Sequence, residues 1–235
     1  MLDLTSGIVV YVGESKGAEA LEPFFKRLKQ AHAKIEAVAM DMSKAYIFAV
    51  SSNLPKALIV FDHFHIIKLA NQALTTLRRD LQREAEGPLQ KKVLKGIRWI
   101  LLKRPENLKA ERNEEQRLKA ALELNAPLTL GYYMVEDLRQ IWSQPNKQTA
   151  RSILKDWIGM AHASGIRVLQ KLSNTLAAYQ NGILNWYDTP ITSAKIEGTN
   201  NKIRAMQRQS YGFRDKEFFK LKIYSLHETK QSFTG

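Results

Sequence analysis

Residues 192–214, TSAKIEGTNNKIRAMQRQSYGFR, read as a helix that carries one carboxylate and two amides on the same side as a row of cations. Glu197, Asn200, Asn201, Arg204 and Arg208 stand at i, i+3, i+4, i+7 and i+11, which lines them along one face. Ile196, Ile203 and Met206 lie at roughly the opposite angle. A carboxylate above amides and guanidinium groups suits a cation held beside a phosphodiester, the carboxylate taking the metal and the Asn and Arg groups taking the strand. The same pattern also fits a first-turn glutamate favoured by the helix dipole, with a solvated basic face behind it. Two more carboxylates shift that balance, because Asp41 and Asp62 each close a short apolar segment, KIEAVAMDM and KALIVFDHFH. Asp62 and His65 form a D-x-x-H pair where the second of these runs into a helix; Asp62 as a plain N-cap and His65 as a part-buried polar residue is the alternative.

The elements that must position these groups alternate at first. GIVVYVG, residues 7–13, is a β-branched run between glycines and predicts a strand. Residues 17–34 predict a helix with Leu21, Phe24, Phe25 and Leu28 on one face, and with Pro23 placed awkwardly near its start. KIEAVAMDM predicts a second strand, Ser43 caps a helix through Tyr46, Ile47 and Val50, and Asn53 and Pro55 stop it before the third strand. Two buried strands joined by one short helix form a βαβ unit, parallel with a right-handed crossover. Asp41 and Asp62 then leave the sheet at the same carboxyl edge, where α/β sheets place their sites.

From residue 64 to 187 the signals are helical only, broken at Gly87-Pro88, Arg104-Pro105, Ala126-Pro127 and Gln144-Pro145. The first of these helices puts Ile66, Leu69, Ala73, Leu77 and Leu81 inside, and Asp188-Thr189-Pro190 closes the block. Tyr132, Tyr133, Trp142 and Trp157 read as core. LKGIRWILLKR, residues 94–104, mixes cations with Trp99 and fits either a surface lying on DNA or a core helix with snorkelling stems. His32, His162 and His227 have no local partners and read as incidental. Two helices follow, at 192–208 and 216–228.

Lys and Arg number 36 against 23 Asp and Glu, a net charge of +13, so a polyanion is the expected partner, nucleic acid before an acidic membrane. The absence of cysteine excludes disulfides and thiolate zinc sites and fits a reducing cytoplasm. No apolar run approaches the ~20 residues that span a bilayer, and the first residues lack a signal-peptide pattern, so a cytoplasmic protein without membrane association is expected.

VAMDMSKAYIFAV, PKALIVFDHFHIIKLANQAL and SAKIEGTNNKIRAMQRQSYGFRDKEFFKLKI together resemble the catalytic domain of the ISL-three family of bacterial insertion-sequence transposases, through nearly the whole chain. The resemblance implies a DDE enzyme that cuts and transfers the DNA strands of an insertion sequence. It implies an α/β fold with a ribonuclease H-like core, interrupted by a large all-helical insertion: core at 1–74, insertion at 75–190, and helices returning to the core at 191–235. Three acidic side chains in such a core hold two divalent ions, Mg²⁺ or Mn²⁺, with no small-molecule cofactor. By position Asp41 corresponds to the second acidic ligand and Glu197 to the third. Asp62 and His65 match a D-x-x-H element near the scissile strand. Asn200, Asn201, Lys202, Arg204 and Arg208 correspond to contacts with transposon-end or target DNA, an electrostatic and salt-sensitive contribution. Synaptic assembly makes a homo-oligomer possible.

The resemblance also implies a first catalytic aspartate on a core strand upstream of LDLTSG. Asp3 matches the end of the second core strand instead, and no zinc-binding or helix-turn-helix segment is recognisable. The sequence therefore predicts an incomplete core whose first strand is missing, inactive and marginally folded alone. The alternative is a non-catalytic DNA-binding fragment that interferes with the full-length transposase.

Overall fold

The computed structural model describes residues 1–15 and 17–226. Pro23 decides where the first helix starts. A single 3-10 turn, Ala18–Leu21, leads into α1 (Glu22–Gln30), which holds Pro23 in its first turn, where a missing N–H costs nothing. The proline is a start signal here, and the following turn buries Phe24 and Phe25.

β1 (Ala37–Met40) and β2 (Leu58–Phe61) pair in parallel, from Ala37 opposite Leu58 to Met40 opposite Phe61, with α2 (Lys44–Asn53) between them in the chain. The expected parallel pairing of two strands around one helix holds. Phe24, Phe25, Ala49 and Val50 are buried together, with Leu21, Leu28, Val38, Met40 and Ile59 packed against them, so the helices cover the sheet through large apolar side chains. Ser43 occupies the N-cap position of α2 without a side-chain capping bond; instead its N–H donates to Asp41 Oδ1 at 3.1 Å.

GIVVYVG does not become a strand of this sheet. Val9 makes one antiparallel bridge to Leu2, and the chain folds back between them. The Asp3 carboxylate accepts from the backbone N–H groups of Thr5 and Ser6 and from the Ser6 hydroxyl, and Gly7 turns the chain at φ +77°. A β-branched run this close to a tight turn pairs with what the turn returns to it.

His63–Asp188 forms a second compact unit, made of helices; Met1–Asp62 and Thr189–Gly235 form the first. Residues 74 and 75, where the insertion is expected to begin, lie inside one continuous helix, α3 (His63–Glu84). α4 (Pro88–Gly96), α5 (Glu114–Glu123), α6 (Ala126–Arg139), α7 (Lys147–Ala163) and α8 (Arg167–Leu184) complete the unit. Pro88 and Pro127 stand in the first turns of α4 and α6, and Asn125 and Asn146 cap α6 and α7 by accepting from Leu128 and Thr149 N–H groups.

The buried stripe of α3 is Ile66, Ala70, Leu74 and Leu77; Leu69, Ala73 and Leu81, expected inside, are only half-buried. Gly131 of α6 faces this stripe at Leu74 and Leu77. A β-carbon on Gly131 would stand 2.7 Å from Leu77 Cδ2, so α6 lies close against α3 there. Trp157 fills the middle of the unit and donates its indole N–H to the Met134 carbonyl at 2.7 Å. Tyr132 is buried as expected, Trp142 is half-buried, and Tyr133 is exposed, the reverse of its expected place.

Residues 97–112 do not continue the helical pattern. They form short 3-10 turns held by the buried Glu114, whose Oε2 accepts from Lys103 Nζ at 2.6 Å and from the Lys109 N–H at 2.9 Å.

The first unit is completed by α9 (Ala194–Gln209) and α10 (Lys216–Tyr224). The expected extension of the last helix to 228, His227 and the end of the 191–235 segment lie outside the described residues. No helix among the described residues is long and apolar enough to cross a membrane.

Candidate functional site

The carboxyl end of the sheet holds the two strand-end aspartates in opposite environments. The ladder runs one residue past β2, with Asp62 N–H donating to Met40 O at 3.3 Å, so Asp41 and Asp62 follow paired residues on neighbouring strands. Asp41 is exposed. Asp62 is 3% exposed, and its Oδ2 accepts from the Ser193 N–H at 2.8 Å and from the Ser193 hydroxyl. Ser193 is itself buried and is the N-cap residue of α9. The buried carboxylate thus ties the first turn of α9 to the end of β2.

Glu197 lies one turn along, its N–H donating to Ser193 O at 3.0 Å, and its side chain is exposed. Thr199 is buried and Ile196, Ile203 and Met206 are half-buried, whereas Asn200, Asn201, Lys202, Arg204 and Arg208 are all exposed. The helix therefore presents the expected polar face to solvent along its length. Arg204 donates to Asn201 Oδ1 at 3.0 Å, a local bond that holds the guanidinium along the helix. Lys195 Nζ donates to Leu4 O, so the start of α9 is held from the N-terminal turn as well.

α9 ends in a Schellman arrangement: Gly212 N–H donates to Gln207 O at 2.9 Å and Tyr211 N–H to Arg208 O at 3.2 Å. The left-handed position that usually carries glycine is Tyr211, at φ +50°, with its side chain fully exposed. Gly212 follows at φ +96°, and Asp215 then caps α10 by accepting from the Glu217 and Phe218 N–H groups.

A family model described as a transposase, of ISL-three DDE type, matches residues 1–223, nearly the whole chain. The chain belongs to the ISL-three family of DDE transposases. Among curated members, it is 33% identical over 219 residues to the transposase for insertion sequence element IS1001 of Bordetella parapertussis. It is 27% identical over 239 residues to the transposase for insertion sequence element IS1557 of Mycobacterium tuberculosis. These alignments take in 92% and 91% of this chain but 53% of either relative, so the chain spans about half the length of the transposases it matches. No solved structure matches it.

Within this ISL-three member, the expected site residues divide between the two units. Asp41, Asp62, Glu197 and the α9 face belong to the first, and His65 to the helical unit. His65 stands in the first turn of α3, half-buried and edge-on to Phe64 at 5.8 Å, with its Nδ1 buried and lacking a hydrogen-bond partner. Among the described residues no three His, Asp or Glu side chains gather closely enough to hold a metal. Ser193 is not marked by the spacing that marks Asp41, Asp62 and Glu197. Its signal was a serine ahead of a helix, and its partner lies 131 residues away.

Proposed function

We propose that this chain contributes to the metal-dependent strand-cleavage and strand-transfer centre of a DNA transposase, on a ribonuclease H-like core. Asp41 and Glu197 hold a divalent cation, and Asn200, Asn201, Lys202, Arg204 and Arg208 hold the DNA backbone. The observation that carries this reading is the Asp62–Ser193 tie. It fixes the start of the Glu197 helix to the carboxyl end of two parallel strands, one residue from the paired position that leads to Asp41. Carboxyl ends of strands are where such sheets place ligands.

The donor chemistry fits Mg²⁺ or Mn²⁺. Both ligands are exposed, hard carboxylate oxygens, and Mg²⁺ is commonly held by one or two carboxylates while keeping several waters. When bound, the cations supply activation of a water or 3′-hydroxyl and stabilise the leaving oxygen. The protein's part is to orient. Asp62 holds the first turn of α9 and acts through Ser193 as a positioning residue. The guanidinium and amide groups further along the same helix bind phosphates in a fixed direction from Glu197.

The test is Mn²⁺ titration followed by paramagnetic broadening of backbone resonances. Broadening is expected around Asp41 and in the first turn of α9, removed in Asp41→Asn and in Glu197→Gln. Asp62→Asn should weaken it by about tenfold, the usual effect of losing a group that orients a ligand. Unchanged broadening in Glu197→Gln would overturn the metal reading, while DNA binding that survives it would support a regulatory, non-catalytic protein.

A further inference from the structure

The helical unit carries a charged and aromatic surface that the acidic site does not use. α4 and the turn after it bury Leu94, Ile97, Ile100 and Leu101. The same turns leave Lys95, Arg98 and Trp99 outside. Trp99 is 67% exposed, whereas Trp157 of the same unit is 1% exposed, and Ile97 and Ile100 already fill the core beneath it. The Arg98 guanidinium lies over the Trp99 ring, 4.5 Å from its centroid. Arg117 reaches in from α5 and donates to Gly96 O at 2.9 Å.

Below this surface Arg78 is buried, donating to Leu94 O at 3.1 Å and to Gln82 Oε1 at 2.8 Å. Burial lowers its pKa, and repulsion from Arg79 and Arg98 lowers it further. An arginine plane on an exposed indole, ringed by cations, is the arrangement that takes up unpaired bases by stacking and their phosphates by charge. A lipid surface fits it less well. Interfacial binding needs an apolar face turned outward, and the aliphatic side chains beside Trp99 point into the core.

We propose that Trp99, with Lys95, Arg98 and Arg117, forms a single-stranded DNA-binding surface in which the indole stacks on an unpaired base and the cations hold the flanking phosphates. It goes beyond the acidic site and requires neither Asp41 nor Glu197. Its test can therefore run in EDTA, where failure of the metal reading has no effect on the outcome.

The experiment is fluorescence anisotropy of the full chain with a labelled oligothymidine, alongside a duplex of the same length and an oligonucleotide carrying 2-aminopurine. Trp99→Ala should weaken single-strand binding by about fivefold or more, as expected for one lost stacking partner, and leave duplex binding unchanged. It should also abolish the 2-aminopurine quenching, which Trp99→Phe should largely retain. Arg98→Ala should lower the slope of log affinity against log salt by about 0.7 for each phosphate contact it removes. Wild-type single-strand affinity in Trp99→Ala, or an equal loss on the duplex, would overturn the proposal. So would loss of binding to phosphatidylserine vesicles with the oligonucleotide affinity intact. A melting curve for each variant separates these outcomes from unfolding, and Arg98→Ala, at an exposed position, tests the surface without touching the core.

Discussion

A carboxylate in the interior is tolerated when hydrogen bonds satisfy it, and two in this chain are satisfied in different ways. Asp62 accepts from a serine at the start of α9, a structural commitment that leaves exposed Asp41 and Glu197 as the groups open to solvent. Glu114 accepts from Lys103 and from the Lys109 backbone, and the Lys103 bond, then the Lys109 N–H, hold its carboxyl below the usual range. A depressed folded pKa contributes stability that is fully present above the unfolded value, about 4.3 for Glu. That contribution is lost as pH falls through the folded value below it. Melting temperature followed from neutral pH downward should therefore fall faster below about pH 4 in the wild type than in Glu114→Gln. Parallel acid limbs would show that Glu114 is not the group responsible. The strand-end aspartates and Glu197 were legible from sequence because each sits at the edge of a local pattern. The Asp62–Ser193 bond was not, since no periodicity connects groups so distant in the chain.

At the scale of elements, the β1–α2–β2 unit and α9 followed from apolar runs and spacing, because their patterns match the periods of strand and helix. Pro23, Pro88 and Pro127 each stand in the first turn of a helix, so a proline that breaks one pattern also starts the next. The run at 7–13 misled for another reason: its partner is set by the Asp3 turn and not by its own composition. The α9–α10 turn makes the sharpest test at this scale. Tyr211 adopts a left-handed conformation that costs a non-glycine residue roughly 1–2 kcal/mol, partly offset by the smaller unfolded-state entropy of tyrosine. Tyr211→Gly should raise stability by up to about 1 kcal/mol in chemical denaturation. If the strained, fully exposed ring serves the proposed DNA-binding face of α9, the same variant should also lose DNA affinity at constant fold. A variant that is less stable than wild type would show that the left-handed position carries no net cost for tyrosine here.

The whole molecule is two units of unlike chain topology. The helical unit is one continuous segment, His63–Asp188, whereas the sheet unit joins Met1–Asp62 to residues beyond 188. Contacts of low sequence separation form faster. Pulse-labelled hydrogen exchange during refolding should therefore protect amides of α7 and α8, which are consecutive and packed together, before the Ser193 amide, whose partner Asp62 lies 131 residues away; simultaneous protection would mean that the two units fold as one. The Asp62–Ser193 bond carries this difference into the cell. On a ribosome adding ~5–20 residues per second, Asp62 emerges on the order of ten seconds before the serine that satisfies it. For that interval the nascent sheet, with its phenylalanine cluster, lacks the helices that complete its unit. It is then a natural client for a chaperone, and the sheet unit matures only once α9 has been made.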